Sequence, residues 1–339
     1  MSGDYLWDRS GEPDPEIQHL EEVLGGLRSN RPAPDWTGQQ KVRQIPGRGT
    51  RFQQTGWRAA IAAGVVLAIC ASWLVTRPVR SGWKVARMEG APIVGKSRIK
   101  GSGQLSVGEW IETDAGSRAR ISVSDIGQVE IEPNSRLRLV RARSNGHRLA
   151  LVRGEMQAMI WAPPRMFSVE TPAAVAVDLG CRYTLKVDEA GITTLHVTMG
   201  WVGFEQNGHE SWVPAEAECV TRPGKQAGTP DFVDASDVFR TALAKFDFEH
   251  DSAALNSVLA EARDRDALTL WHLLPRVQGA ERVRVYDRLV QLAPPPESVT
   301  RQAALEGDKQ ALDLWWDQLG LGESSHWRMW KGPSPFQGK

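Results

Sequence analysis

The sequence predicts a mixed, multi-domain chain: a short N-terminal helix, one transmembrane helix, an all-β domain built as a solenoid or a sandwich, and a C-terminal α-helical domain. Three observations carry this. Residues 59–75 (AAIAAGVVLAICASWLV) hold no charge. Between 82 and 222 apolar residues alternate with polar or charged ones, the two-residue period of half-buried strands. From 237 to 320 they return to the three-and-four spacing of helices.

At 1.5 Å rise per residue the uncharged run covers roughly 26 Å, close to the lower limit for a bilayer core. Trp57 and Trp73 stand near its two ends, where indoles favour the interface, Arg58 can snorkel, and Pro78 stops the helix soon after. A buried core helix is rarely apolar all round, and a signal peptide would begin near residue 1. The expected span is 58–76. Lys41, Arg43, Arg48, Arg51 and Arg58 precede it; Arg77, Arg80, Lys84 and Arg87, offset by Glu89, come after it. The difference places the N-terminus inside by a small margin. Residues 36–57 are a basic linker.

Residues 1–35 carry more acidic than basic side chains and one helix signal. Asp14 can cap, Pro15 fits the first helical position, and Glu16 suits the dipole. Ile17, Leu20, Leu24 and Leu27 then share one face. The segment is too short to be stable alone, so its stripe needs another surface. Glu16, Glu21 and Glu22 disfavour anionic lipid, and Tyr5–Trp7 offers only a small cluster. A groove on a protein partner remains.

Within 82–222 the segments ARISVSD, QVEIEP, RLRLVRA, RLALVRG, TLKVDE and TLHVTM read as strands. Asp125–Gly127, Pro133–Asn134, Asn145–Gly146, Glu189–Gly191 and Asn207–Gly208 read as the turns between them. Residues 223–236 (RPGKQAGTPDFVDA) are a Pro/Gly connector. Residues 237–320 hold five or six short helices, the last carrying Leu312, Trp315, Trp316 and Leu319 after Gly307 and a capping Asp308. Residues 321–339 form an aromatic, basic tail.

Charge balances at 41 basic and 41 acidic residues, so no overall field points to nucleic acid. Gly90, Gly95, Lys96 and Ser97 match G-x-x-x-x-G-K-[ST], but the next residues, RIKGSGQLSVGEW, open no helix, which a phosphate loop needs. The expectation there is a hairpin loop. The seven His show no pair at ligand spacing, and no nucleophile elbow occurs. Catalytic, cofactor-binding and metal residues are therefore expected to be none, and the chain is not expected to be an enzyme. Of the three cysteines, Cys70 lies in the uncharged run. Cys181 and Cys219 are either a disulfide, allowed in an oxidising compartment, or two buried thiols.

The stretch GEWIETDAGSRARISVSDIGQVEIEPNSRLRLV (108–140) resembles the FecR domain, and RGEMQAMI (153–160), FSVETPAAVAVDLGCRYTLKV (167–187) and MGWVGFEQNG (199–208) continue it in order. The resemblance covers roughly 83–222 and carries no catalytic signature. It implies a single-pass bacterial inner-membrane protein with its N-terminus in the cytoplasm and its β domain in the periplasm. It implies a sigma factor as the partner of the N-terminal helix, and so a role in signal transduction and transcription regulation. Residues 1–56 are shorter than the usual sigma-binding region. No Cys follows His19 before Cys70, so the zinc site of some anti-sigma domains is missing. A second reading stays open, a membrane-anchored periplasmic scaffold that binds a protein or an envelope polymer.

Overall fold

The computed structural model describes residues 82–325 apart from Asn207 and His250. The segment with Ile17, Leu20, Leu24 and Leu27, the basic linker, the span at 58–76 and the end of the tail lie outside the described residues. Among the described residues no helix is long and apolar enough to cross a membrane.

Among the described residues the alternating region folds into 16 strands, and a seventeenth follows in the segment after it. In chain order they are β1 (Gly82–Glu89), β2 (Ile93–Val94), β3 (Ser97–Arg98), β4 (Ser102–Ser106), β5 (Trp110–Glu112) and β6 (Arg118–Val123). Then come β7 (Gly127–Ile131), β8 (Arg136–Arg143), β9 (Gly146–Ile160), β10 (Phe167–Glu170), β11 (Val175–Asp178) and β12 (Cys181–Val187). The last are β13 (Thr193–Met199), β14 (Trp201–Gln206), β15 (His209–Pro214), β16 (Ala217–Thr221) and β17 (Asp231–Phe232).

Pairing sorts them into two sheets. The first runs β4-β1-β6-β7-β9-β12-β13-β16-β17, antiparallel throughout. The second runs β3-β2-β5-β8-β9-β10-β11-β14-β15, antiparallel except for β9 with β10. β9 belongs to both: Gly146–Arg153 pairs with β8, and Gly154–Ile160 with β12. Gly154 makes the bend. Its φ is +87°, and a Cβ there would lie 2.4 Å from the Ser135 Cα, so only glycine fits. Of the two all-β forms expected, the chain builds the sandwich. Strands such as β6 and β12 bury alternate residues, and Val85, Ile121, Leu137, Leu149, Phe167 and Leu185 fill the space between the sheets. Burying each such side chain contributes roughly 1.5–3 kcal/mol.

The phosphate-loop look-alike is a hairpin. Val94 pairs with Ser97, which leaves Gly95 and Lys96 as a two-residue turn. Ser97 starts β3 and not a helix, so the backbone N–H array that a phosphate needs is missing.

Six α-helices follow: α1 (Asp237–Glu249), α2 (Ala254–Glu261), α3 (Ala267–Leu273), α4 (Gly279–Leu292), α5 (Arg301–Glu306) and α6 (Lys309–Gln318). Gly307, at φ +75°, ends α5, and the Asp308 carboxylate caps α6 by accepting from Ala311 N at 2.7 Å. The core here is aromatic. Trp271 meets Trp316 edge-on at 4.9 Å, and its indole N–H donates to Leu312 O; Trp315 meets Tyr286 at 5.6 Å.

The segment 223–236 differs from its Pro/Gly reading as a connector. Ala227–Phe232 is buried, and Asp231–Phe232 extends the first sheet as β17. Gly228 passes so close beneath β16 that a Cβ would sit 1.8 Å from Val220 O. The buried backbone finds partners: Thr229 N donates to Asp247 Oδ2 at 2.7 Å, and Pro230 O accepts from Thr269 Oγ1 at 2.8 Å. Here Pro and Gly serve close packing, with the hydrogen bonds supplied by side chains from both flanks.

Candidate functional site

A cleft of about 770 Å³ opens between the sheets and the helices. Trp201, Pro214 and Phe232 line it on the sheet side, and Leu268, Leu292 and Leu319 on the helix side. Gly200 carries the chain from β13 in one sheet to β14 in the other, which sets Trp201 at the mouth. Its indole N–H donates to Leu321 O, and Gly322 lies against the ring. The rim is charged. Arg265 donates to Glu216 at 2.7 Å and Asp234 at 3.0 Å, with its guanidinium 4.2 Å from the centre of the Phe232 ring. Arg263 binds Asp234 at 3.1 Å and the buried Asp266 at 2.9 Å. Its hydrogen bond, above all, holds the Asp234 carboxyl below its usual range. An apolar floor with a fixed charged rim suits binding.

A second polar cluster is sealed inside the sandwich. Asp178, at the end of β11, is 1% exposed. Its carboxylate accepts from Cys181 Sγ and Gly180 N, each at 2.7 Å. Burial pushes this carboxyl up to about 7, against those two hydrogen bonds. It also raises the Cys181 thiol and the Tyr183 hydroxyl well above their ordinary values. Nearby, Arg165 bridges Glu205 at 3.1 Å and Glu210 at 3.2 Å. Burial moves Glu205 up to about 7, opposed by Arg165.

Of the two readings left open for Cys181 and Cys219, the structure has the buried thiols and not the disulfide: both are free and buried. Cys219 Sγ donates instead to Gly228 O at 3.2 Å. The register explains it. Cys219 faces Leu195 on β13, and Leu195 faces Leu185 on β12, four residues along from Cys181. Two strand spacings and four residues put the sulfurs' backbones roughly 10 Å apart across the sheet and 13 Å along it, beyond the ~7 Å a bridge spans. Among the described residues no cluster of three or more His, Cys, Asp or Glu could hold a metal.

Sequence reasoning missed Asp178, His272 and the arginine rim. Asp178 leaves a trace, since it ends the otherwise apolar VAVD; His272 sits inside LTLWHLL. Neither trace distinguishes a buried partner from a surface group.

The FecR protein family model matches residues 109–203. Over these residues the chain is similar to the FecR family. The match runs from the β5 start through the first half of β14; β15–β17 and the helices lie beyond it. Two crystal structures of a candidate anti-sigma factor from Parabacteroides distasonis ATCC 8503, at 2.50 Å and 1.65 Å, are similar at 18% identity with a TM-score of 0.33. The similarity covers 40% of this chain and 64% of that one, too distant to carry an argument about either fold or partner. No curated protein matches the chain.

Proposed function

We propose that this protein is a single-pass bacterial inner-membrane signal transducer, not an enzyme, with the FecR domain and its helices in the periplasm and the N-terminal helix bound to an extracytoplasmic-function sigma factor. The observation that carries the reading is the FecR domain at 109–203, a short way after the uncharged run at 59–75. The cleft beside Trp201 is where a periplasmic protein or envelope ligand binds, its apolar floor taking side chains and Glu216 and Arg265 orienting polar groups. In the cytoplasm Ile17, Leu20, Leu24 and Leu27 fill a groove on the sigma factor, and Glu16, Glu21 and Glu22 meet its basic surface.

The test uses the full chain in its membrane. Wild type co-purifies with a sigma factor; Leu20→Asp combined with Leu24→Asp lowers the yield at least tenfold and changes the dependent transcripts. Cys181 and Cys219 stay unreactive to alkylation in the variant, which shows an intact FecR domain. If wild type captures no sigma factor and the variant changes no transcript, the chain is the anchored scaffold instead.

A further inference from the structure

The β domain begins at Gly82, and only residues 76–81 separate it from the uncharged run. Fully extended, that tether reaches roughly 25 Å, so whatever shares the Gly82 end of the sandwich stays near the bilayer. That proximity, and the inference drawn from it, rest on the membrane anchor proposed above.

The register identifies what shares that end. In the first sheet Gly82 pairs with Ser106, Val123 with Gly127, Gly127 and Cys181 both with Ile160, and Arg182 with Met199. Val85 pairs with Ile121 a few residues in from this end, which brings Val123 of β6 level with the start of β1. Val107, Trp161 and Met199 follow or end strands in this row, so they line one rim. Trp161 is 63% exposed, and Val107 and Met199 are each 45% exposed. From β4 to β13 the rim spans roughly 29 Å at about 4.8 Å per strand. The second sheet reaches the same end at the β8–β9 hairpin, where the His147 ring lies 5.5 Å from that of Trp83. Arg141 and Arg143 stand on the exposed side of this hairpin. Arg182 is exposed between the methionines, donating to Met159 Sδ at 3.5 Å. None of these three arginines is in an ion pair among the described residues. Of the acidic side chains bordering the rim, Asp125 lies close enough to act on His147, and Glu109 is turned onto Ser106 N at 2.8 Å.

We propose that this rim rests on an anionic phospholipid surface, with Trp161, Val107 and Met199 at the headgroup level and Arg141, Arg143 and Arg182 on phosphates. The indole has an apolar body and one polar N–H, which suits that depth. Guanidinium forks match phosphate oxygens, and anionic lipid attracts basic groups close to its surface. Trp161 lies two strand spacings from Met199 and four from Val107, roughly 10 Å and 19 Å, so the three make separate apolar contacts along the rim with the arginines between and beside them. Seating this rim on the bilayer fixes the orientation of the cleft beside Trp201, two residues beyond Met199.

Full-length protein in vesicles of phosphatidylcholine with phosphatidylglycerol tests this. Benzoylphenylalanine replaces Trp161 in one variant, and in another Glu189, which lies in the β12–β13 turn at the opposite end. After illumination, mass spectrometry should find phospholipid adducts at 161 and not at 189. Arg141→Glu with Arg143→Glu should lower the yield at 161 several-fold, with Cys181 and Cys219 still protected from alkylation. Adducts to a second copy of the chain, or none to lipid while the protein resists alkaline extraction, overturn the inference alone. Yield unaffected by the arginine changes overturns the anionic contact. Release by alkali overturns the anchor reading and this inference together.

Discussion

At Asp178 a carboxyl group is enclosed with a thiol and a backbone amide as its hydrogen-bond donors. Its pKa moves from 3.8 to about 7 because burial disfavours the charge. The stability this group allows is present in full below pH 3.8, where both folded and unfolded forms hold the proton. It falls as pH rises toward 7 because the folded state then binds more protons than the unfolded one, and above pH 7 the loss is complete. The loss is at most about 4 kcal/mol. Glu205 and Asp231, raised to about 7 and about 6 by burial, act in the same direction. Asp178→Asn keeps the shape and can accept from Gly180 N. It should match wild type near pH 4, exceed its unfolding free energy at pH 8, and flatten the profile between; denaturant titrations at pH 4, 6 and 8 measure this. Little of that site was legible in the sequence. The burial of the two cysteines could be read from their apolar neighbours, but their separation could not, because it depends on which strands β13 joins.

Elements held by local chemistry were readable, and those held by distant partners were not. The turns at Asp125–Gly127, Asn145–Gly146 and Glu189–Gly191 connect strands as expected, because the residues that make a tight turn lie within it. Gly307 and Asp308 likewise end and start helices without help. The strand read at RLALVRG stops at Gly154, yet β9 runs on to Ile160 as one 15-residue strand shared by two sheets, with Ser135 packed against its bend at Gly154. α3 is apolar and buried throughout, and its role at the sheet edge comes from His272. Nδ1–H of His272 bonds Leu268 O at 2.9 Å, so Nε2 is left to accept the Trp212 N–H at 2.9 Å from the open side of β15. Burial and Arg276 lower this imidazole to about 3, so it stays neutral and keeps that lone pair. His272→Ala leaves a buried N–H without an acceptor and a cavity, and should cost about 2–4 kcal/mol. His272→Gln restores an acceptor and should recover part of the loss, as thermal unfolding of the pair with wild type will show.

Besides His272, several side chains hold the helices to the sandwich. Arg276 donates to Ser211 Oγ at 2.7 Å, Ala227 O at 2.8 Å and Thr229 Oγ1 at 2.9 Å. Arg240 ties α1 to Asp231 and Glu218, each at 2.8 Å. Past α6, Leu321 and Gly322 return to Trp201 on β14. The helices thus cover a strand edge, which unpaired would recruit other chains. A chain ended after Ala235 keeps all 17 strands but uncovers Trp201 and Trp212 and opens the β15 edge. It also removes Asp247 and Thr269, the partners of the buried Thr229 and Pro230 groups. If the helices were an independent appendage, such a chain would remain as well behaved as the full one in detergent. The contacts require the opposite. Size-exclusion chromatography should show it as large aggregates where the full chain elutes as a defined species, and adding Lys or Pro on β15 should reduce the aggregation.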